Sequence, residues 1–328
     1  MPRPSTTLAS HPMPPRADGG AYARTGGRLL ASVATAFVVA CAADEPADAP
    51  EAQDDPATMD APQVVLVTGS TDGMGREIAQ ELGALGWHVI VHGRNVERGT
   101  EVVQTIEEAG SGSARFIRAD LASFDEVRRL AETIRRDYDR LDVLVNNAGI
   151  GRGADQTVRE TSDDGVELRF QVNYLSHFLL THELLPLLEA SAPARIVHVA
   201  SGAQTAIDFD DVMLEEAYDG SRAYAQSKLA QVFHTYDLAE ELEGTGVTVN
   251  ALHPATMMPT TMVLERGGTP RSEIEEGVEA VMNLILSPDV GSGRYFTGTQ
   301  PATAHDQAYD MEAREELREL SRELVGLD

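Results

Sequence analysis

Short apolar runs alternate with helix-length amphipathic stretches from residue 64 onward, and this alternation constrains the fold more than any other feature of the sequence. The apolar runs are candidate strands at 64–68, 88–92, 115–119, 141–146, 195–200, 247–252 and 294–296. The helical patterns lie at about 74–85, 95–109, 124–137, 165–190, 222–243, 273–286 and 312–326. Strands that are apolar nearly throughout and alternate with helices indicate a mainly parallel sheet flanked by helices on both faces. The pattern therefore predicts a single doubly wound α/β domain with seven strands.

The composition excludes several classes of partner and site. The 328 residues carry a net charge of −27 and no basic patch. Because binding to nucleic-acid phosphates needs clustered Arg and Lys, no nucleic-acid partner is expected. Cys41 is the single cysteine, which excludes an internal disulfide. The histidines lack metal-ligand spacing, and no metal site is expected. Lys228 is the only lysine and follows a serine, which excludes a Walker phosphate loop.

The first 62 residues differ from the rest of the chain. A twelve-residue apolar run at 29–40 follows two arginines and ends in Val-Val-Ala before Cys41. A charged flank, a short apolar run and small residues are typical of a secretory signal, and the run is shorter than the roughly 20 residues of a spanning helix. Val-Val-Ala-Cys resembles a bacterial lipobox, which implies lipid attachment at Cys41. The acidic, Pro- and Ala-rich segment 42–62 is predicted to be a disordered linker.

Two localisations follow from this segment. In the first, residues 1–41 are a signal, 42–62 a tether, and 63–328 the folded domain of a lipoprotein anchored to a membrane through Cys41. In the alternative, translation starts at Met59, just before the first strand, and the protein is cytoplasmic.

A glycine-rich turn, TGSTDGMGRE, joins the first strand to a helix. Glycine allows the tight turn and lets the backbone approach a pyrophosphate, while the helix N-terminus offers free N–H groups. A strand, a glycine-rich turn and a helix in this order are typical of a dinucleotide site. Cofactor contacts are expected at Thr68, Gly69, Ser70, Thr71, Gly73, Met74 and Gly75.

The end of the second strand bears on the choice of cofactor. An acid there would bind the ribose 2′-hydroxyl of NAD, and an arginine nearby would suit a 2′-phosphate. Gly93 stands at that position and is followed by Arg94 and Asn95, which favours NADP(H) over NAD(H). Asp72, inside the glycine-rich turn, argues against NADP(H), because a basic residue there would have strengthened that prediction.

Tyr224 and Lys228 are four residues apart in a predicted helix, so their side chains share a face. An ammonium within about 5 Å favours the phenolate and lowers the tyrosine pKa from about 10 toward the working pH. Lysine is a compact point charge with rotatable donors, unlike the planar fork of arginine. The chain uses arginine wherever else it has a long cationic side chain, so its one lysine at this position is informative.

Together these motifs resemble the classical short-chain dehydrogenase/reductase family over residues 63–328. The glycine-rich turn matches the family's Thr-Gly-x-x-x-Gly-x-Gly, and NNAG at 146–149 follows the fourth strand. Asn173, Ser201 and the Tyr-x-x-x-Lys pair occupy the family's catalytic positions. Features of the C-terminal half resemble the retinol-dehydrogenase-like branch. The resemblance implies a Rossmann-type domain.

The resemblance also implies roles. Tyr224 would exchange a proton with a carbonyl or alcohol oxygen that Ser201 orients. Lys228 would bind the nicotinamide ribose and depress the tyrosine pKa, and Asn173 would hold a relay water. Further cofactor contacts are implied at Asp120, Leu121, Asn147, Ala148, Gly149, Pro254 and Thr256. The chain departs from the family after the sixth strand, where Pro-Ala replaces Pro-Gly and a proline stands in place of the usual threonine.

The expected function is an NADP(H)-dependent interconversion of a carbonyl and an alcohol on a small molecule. Methionines in an expected substrate lid at about 255–275 favour a lipophilic substrate. A non-catalytic NADP(H)-binding scaffold or redox sensor is the alternative. The sequence itself does not fix an oligomeric state, but the resemblance implies that a homo-oligomer would form through the helices at 165–190 and 222–243, the faces that this family commonly pairs.

Overall fold

The computed structural model describes residues 62–265 and 267–327. The signal-like segment with Cys41, the alternative start at Met59 and the linker up to residue 61 lie outside the described residues. In the part of the chain that is described, no helix is both long enough and apolar enough to cross a membrane.

A single sheet forms the centre of the described domain, with the strand order β3-β2-β1-β4-β5-β6-β7-β8. Its strands are β1 (Val64–Val67), β2 (His88–Gly93), β3 (Ser113–Arg118), β4 (Val143–Asn146), β5 (Ala194–Val199), β6 (Val247–His253), β7 (Arg294–Thr297) and β8 (Gln300–Ala302). All neighbouring pairs are parallel except the last, in which β8 runs antiparallel to β7. The doubly wound α/β prediction is confirmed, and the predicted count of seven strands was one too low.

The helices are α1 (Gly73–Ala84), α2 (Val96–Ala109), α3 (Phe124–Asp137), α4 (Leu168–Phe170), α5 (Ser176–Ala190), α6 (Gly220–Glu241), α7 (Thr261–Leu264), α8 (Ile274–Leu286) and α9 (Met311–Val325). A π-helical turn, Gln171–Leu175, links α4 to α5, and a 3₁₀ turn, Asp306–Tyr309, precedes α9. The helix predicted over 165–190 is therefore interrupted by a π turn, a feature that is frequent at functional sites.

Alternating residues of the strands feed two cores, one on each face of the sheet. Val65 and Val67 of β1 pack with residues of α1, α2 and α8. Val64 and Leu66 face the other side and pack with residues of α3, α5, α6 and α9. Because successive side chains of a strand point to opposite faces, a nearly all-apolar strand such as β1 fits a sheet covered on both sides.

Helix α9 packs against α6 and the π turn. Arg314 is 5% exposed, and its guanidinium lies 2.6 Å from Asp237 and 2.9 Å from Glu240 of α6. The hydroxyls of Tyr174 and Ser321 are 2.7 Å apart. The outer surface of α6, one of the two predicted pairing faces, is thus partly covered within the same chain.

Candidate active site

The predicted site residues gather at the carboxyl edge of the sheet. The glycine-rich turn follows β1, Arg94 follows β2, and NNAG includes the end of β4. Ser201 follows β5, and Pro254 follows β6. In open α/β sheets, ligands bind outside the carboxyl ends of the strands, where the strand order reverses, here between β1 and β4.

The glycine-rich turn is packed so closely that side chains would not fit. Gly69 has a φ of +64°, and a Cβ there would lie 2.8 Å from the Ala148 Cα. A Cβ on Gly75 would lie 2.4 Å from both Asn147 Nδ2 and the Gly69 carbonyl oxygen. The Asn147 amide donates to the carbonyl oxygen of Thr68 at 2.8 Å. The loop after β4 therefore packs so closely against the turn that only glycine fits at these two positions.

Several residues of the turn have structural contacts of their own. The Ser70 hydroxyl donates to the Val67 carbonyl oxygen at 2.7 Å and accepts from the His92 amide at 3.0 Å. The Thr71 side chain covers Gly93, where a Cβ would lie 2.6 Å from its methyl group. Met74 packs its buried side chain into the core. A cofactor would therefore meet these parts of the turn mainly through backbone groups.

Asp72 connects the turn to two other elements. Its carboxylate accepts from the Gly73 amide at 2.9 Å, which caps α1. It also accepts from the Thr261 hydroxyl of α7 at 2.5 Å and from Arg98 of α2 at 3.3 Å. The negative charge of Asp72, which argues against NADP(H), is thus partly neutralised by Arg98. Asp72 also joins the turn to the predicted lid segment.

The candidate 2′-phosphate contacts lie at the ends of β2 and β3. The Arg94 side chain is 67% exposed and 3.7 Å from Asp120, so it is free to reorient toward a ligand. The Asn95 side chain accepts from the Arg98 amide at 2.8 Å and caps α2. Leu121 is buried in the core, so only its backbone could contact a cofactor.

Tyr224 and Lys228 lie on the same face of α6, as predicted from their spacing. The Lys228 Nζ is 6.0 Å from the centre of the Tyr224 ring. Lys228 is 3% exposed, and burial lowers its pKa to about 7. Its Nζ donates to the Val199 carbonyl oxygen at 2.8 Å, so the lysine contacts the strand that leads to Ser201.

Asn173 stands in the π turn and is fully buried. Its side-chain oxygen accepts from the Ile150 amide at 2.8 Å, and its amide donates to Ser227 at 2.9 Å. A Cβ on Gly149 would lie 3.2 Å from the Asn173 Oδ1 and 3.6 Å from the Lys228 Nζ. The structure therefore brings NNAG, Asn173 and the lysine together.

Ser201 is 8% exposed and begins the loop that leads to α6. Its hydroxyl accepts from the Ala203 amide at 3.1 Å. Its carbonyl oxygen accepts from the Tyr295 hydroxyl at 2.9 Å, which anchors the loop to β7. An open cleft of about 470 Å³ is lined by Ala203 and Ala225, which lie close in sequence to Ser201 and Tyr224, and also by the charged Arg152, Asp219 and Arg222. This cleft adjoins the candidate catalytic residues.

The residues after β6 are less tightly placed. Pro254 is buried, whereas Thr256 is exposed and its hydroxyl lies 3.0 Å from the His253 ring. The segment continues through α7, and a Cβ on Gly73 would lie 3.3 Å from Thr260. The segment after Pro254 therefore reaches the glycine-rich turn.

Sequence reasoning missed three buried polar residues of this region. The His92 Nδ1 accepts from the Gly69 amide at 3.2 Å, and burial lowers the His92 pKa to about 4. Gln231 accepts from the Lys228 Nζ, and His177 lies between Gln231 and Thr68. Gln231 could have been found from the sequence, because it is a polar residue at a helix position where the apolar pattern predicts burial.

Comparison with known proteins gives the family. The model of the short chain dehydrogenase family matches residues 63–269. The chain belongs to this family. Retinol dehydrogenase 13 of Mus musculus is 37% identical over 287 residues, covering 81% of this chain and 84% of that protein. Retinol dehydrogenase 14 of Mus musculus is 36% identical over 292 residues, covering 81% and 86%. This short-chain dehydrogenase therefore lies in the retinol-dehydrogenase-like branch.

Solved structures agree with this assignment. An uncharacterised protein from Mycobacterium paratuberculosis matches with a TM-score of 0.67 and 27% identity, covering 81% of this chain and 96% of that one. The Pseudomonas aeruginosa RhlG/NADP active-site complex matches with a TM-score of 0.60 and 30% identity, covering 72% and 94%. As a short-chain dehydrogenase, the protein is an oxidoreductase that interconverts carbonyl and alcohol groups with a nicotinamide cofactor. The turn between β1 and α1 fits such a cofactor, since Gly69 and Gly75 pack on Asn147 and Ala148 and bring backbone groups, not side chains, to the start of α1.

Proposed function

We propose that the protein is an NADP(H)-dependent oxidoreductase in which Tyr224 is the acid and base for a lipophilic aldehyde, ketone or alcohol. The observation that carries this proposal is the placement of the Lys228 Nζ 6.0 Å from the Tyr224 ring, in a buried position beside NNAG and the β5 end. The lysine charge favours the phenolate, so the tyrosine can both give and take a proton near neutral pH.

Each catalytic side chain has a distinct task in this proposal. Tyr224 donates its proton to a carbonyl oxygen in reduction and removes the alcohol proton in oxidation. Ser201 donates a hydrogen bond to the same oxygen and orients it. Lys228 holds the nicotinamide ribose, and Asn173 supports a water that connects the lysine to solvent. The cofactor, when bound, supplies or accepts the hydride.

The preference for NADP(H) is supported by charge at the end of β2. Gly93 offers no carboxylate, and the exposed Arg94 can reach a 2′-phosphate. Two of the similar solved structures, RhlG and a Shigella flexneri short chain dehydrogenase, are NADP complexes. Arg94→Ala should raise the KM for NADPH about tenfold while leaving the KM for NADH unchanged, because removing one charged contact costs about 1.4 kcal/mol. An equal change for both cofactors would reject this choice.

The lipophilic substrate is supported by the predicted lid at 255–275. Met257 and Leu264 are 39% and 52% exposed, and Met258 packs near Gly277. An apolar lid can close over an apolar substrate and exclude water. The relatives named retinol dehydrogenase point to the same class of substrate.

The test is turnover of a panel of aldehydes and ketones by the full chain with NADPH, followed by the absorbance of the reduced cofactor. Turnover of apolar carbonyls that is lost in Tyr224→Phe, with cofactor binding retained, supports the proposal. Tight cofactor binding without any turnover would favour the alternative, a scaffold or redox sensor.

Membrane anchoring through a lipidated Cys41 and a homo-oligomer remain parts of the proposal. The anchoring is supported by the lipobox-like Val-Val-Ala-Cys. The mass of the N-terminal peptide of the native protein decides it: a diacylated cysteine supports the anchor, and a peptide that starts at Met59 supports a cytoplasmic protein.

A further inference from the structure

The hydrogen bonds of the Lys228 ammonium end on neutral oxygens within the described residues. Nζ donates to the Val199 carbonyl oxygen and to the Gln231 Oε1, each at 2.8 Å. Burial opposes the charged form and lowers the lysine pKa to about 7. The two acceptors therefore decide how much of the charge survives at neutral pH, since hydrogen bonds to a charged form favour it.

Gln231 is the one of these acceptors that belongs to a side chain. It lies three residues after Lys228 on α6 and is 1% exposed. An ammonium has three donors and no acceptor, so the amide oxygen of Gln231 must face it. The amide nitrogen then points the other way and lies 3.3 Å from the His177 Nδ1.

His177 continues the chain of contacts to the glycine-rich turn. Burial holds the pKa of His177 well below its usual range, so the ring is neutral and carries one N–H. The His177 Nδ1 also lies 3.1 Å from the Asn173 carbonyl oxygen, which can only accept, so the proton is on Nδ1, and Nε2, 3.3 Å from the Thr68 Oγ1, is an acceptor. The Thr68 Oγ1 accepts from the Asn147 and Ala148 backbone amides at 2.9 and 3.0 Å, and its own hydroxyl can donate to the His177 Nε2.

Resting on the proposed role of Lys228, we propose that Gln231 is a positioning residue that holds the lysine ammonium in its charged, catalytic orientation. A substitution that removes only the Gln231 amide should disturb the charge of Lys228 and leave the fold in place.

Three titratable groups face the lysine from the elements around it. They are Tyr224 on α6, His177 on α5 and His198 on β5. Burial and the lysine charge lower the pKa of both histidines, that of His198 to about 3, so they stay neutral where Lys228 titrates. A change in the lysine titration near pH 7 therefore does not come from the two histidines, and Tyr224, which is the same in every variant, does not contribute to the difference between variants.

The single lysine makes the test direct. The full chain is produced with lysine labelled with ¹³C at Cε, which gives one side-chain resonance, that of Lys228. Its chemical shift is followed with pH in the wild type, Gln231→Leu and Gln231→Glu. We expect the titration midpoint to fall by about one pH unit or more in Gln231→Leu, because a hydrogen bond to a charged group is lost, and to rise by a similar amount in Gln231→Glu.

Gln226→Leu is the matched control, because Gln226 is equally buried on α6 but bonds to Arg222 instead. Its midpoint should equal that of the wild type. Midpoints in both Gln231 variants within about 0.3 units of the wild type would overturn the inference. If Gln231→Leu fails to fold, the upward shift in Gln231→Glu decides. The titration needs no substrate, so a shifted midpoint in a protein that turns over no carbonyl rejects the proposed function and not this arrangement.

Discussion

Replacing Lys228 by methionine should change how the stability of the protein depends on pH. The lysine pKa is about 7 in the folded chain and 10.5 as its ordinary value. Between these two values the unfolded chain binds a proton that the folded chain does not, so the wild type gains stability as pH rises. Each pH unit contributes up to about 1.4 kcal/mol. Because the folded lysine is still half protonated at pH 7, the gain from about pH 7 to about pH 9 is roughly 2 kcal/mol.

The assay is urea unfolding of the wild type and Lys228→Met at both pH values. The methionine variant also loses two hydrogen bonds, but that cost is the same at each pH and cancels in the comparison. We expect the stability difference between wild type and variant to move by about 2 kcal/mol in favour of the wild type at the higher pH. Lys228→Arg, which stays charged throughout, should show the same pH-dependent difference from the wild type. A difference that is constant with pH would refute the argument that burial has displaced the titration of this lysine.

Three further outcomes are expected. Arg314→Ala should destabilise the fold by about 3–5 kcal/mol in urea unfolding, since it leaves the buried Asp237 carboxylate with only the more distant Arg318 at 3.7 Å. The more exposed Arg318→Ala should cost at most about 1 kcal/mol, and equal losses would contradict this. Gly75→Ala should abolish binding of NADPH measured by fluorescence because its Cβ meets backbone at 2.4 Å, while Gly110→Ala, with open space around it, should bind normally. The buried neutral His198, with its pKa lowered to about 3, costs stability as pH falls below 6.5, because the unfolded chain takes up the proton first. His198→Leu should therefore lose about 2 kcal/mol less than the wild type between about pH 6.5 and about pH 4.5, and identical pH profiles would exclude this explanation.

The sequence was sufficient to predict the alternation of strands and helices because each element carries its own apolar period. The strand predicted at 64–68 is β1, and the helix predicted at 124–137 is α3. Strand β8 was missed because its three residues, Gln-Pro-Ala, have neither apolar alternation nor β-propensity. It forms because β7 offers an edge to pair with.

The motifs placed Tyr224, Lys228, Ser201 and Asn173 in one region, but the sequence could not give their surroundings. The π turn around Asn173 depends on packing and leaves no mark on helical periodicity. The lowered pKa of Lys228 follows from burial, which depends on the whole fold. Gln231 and His177 were missed for the same reason, since their contacts join residues 54 positions apart.

The two outermost strands of the sheet have a consequence for self-association. On β3, Arg115 and Arg118 carry charge along one margin and pair with acids of α3. On the opposite margin, β8 has only three residues, and Pro301 has no N–H to offer. Neither margin is a good template for a strand from a second molecule. Copies of the folded chain would therefore have to meet through helices or loops, and fibre growth by adding strand to strand is disfavoured from both sides.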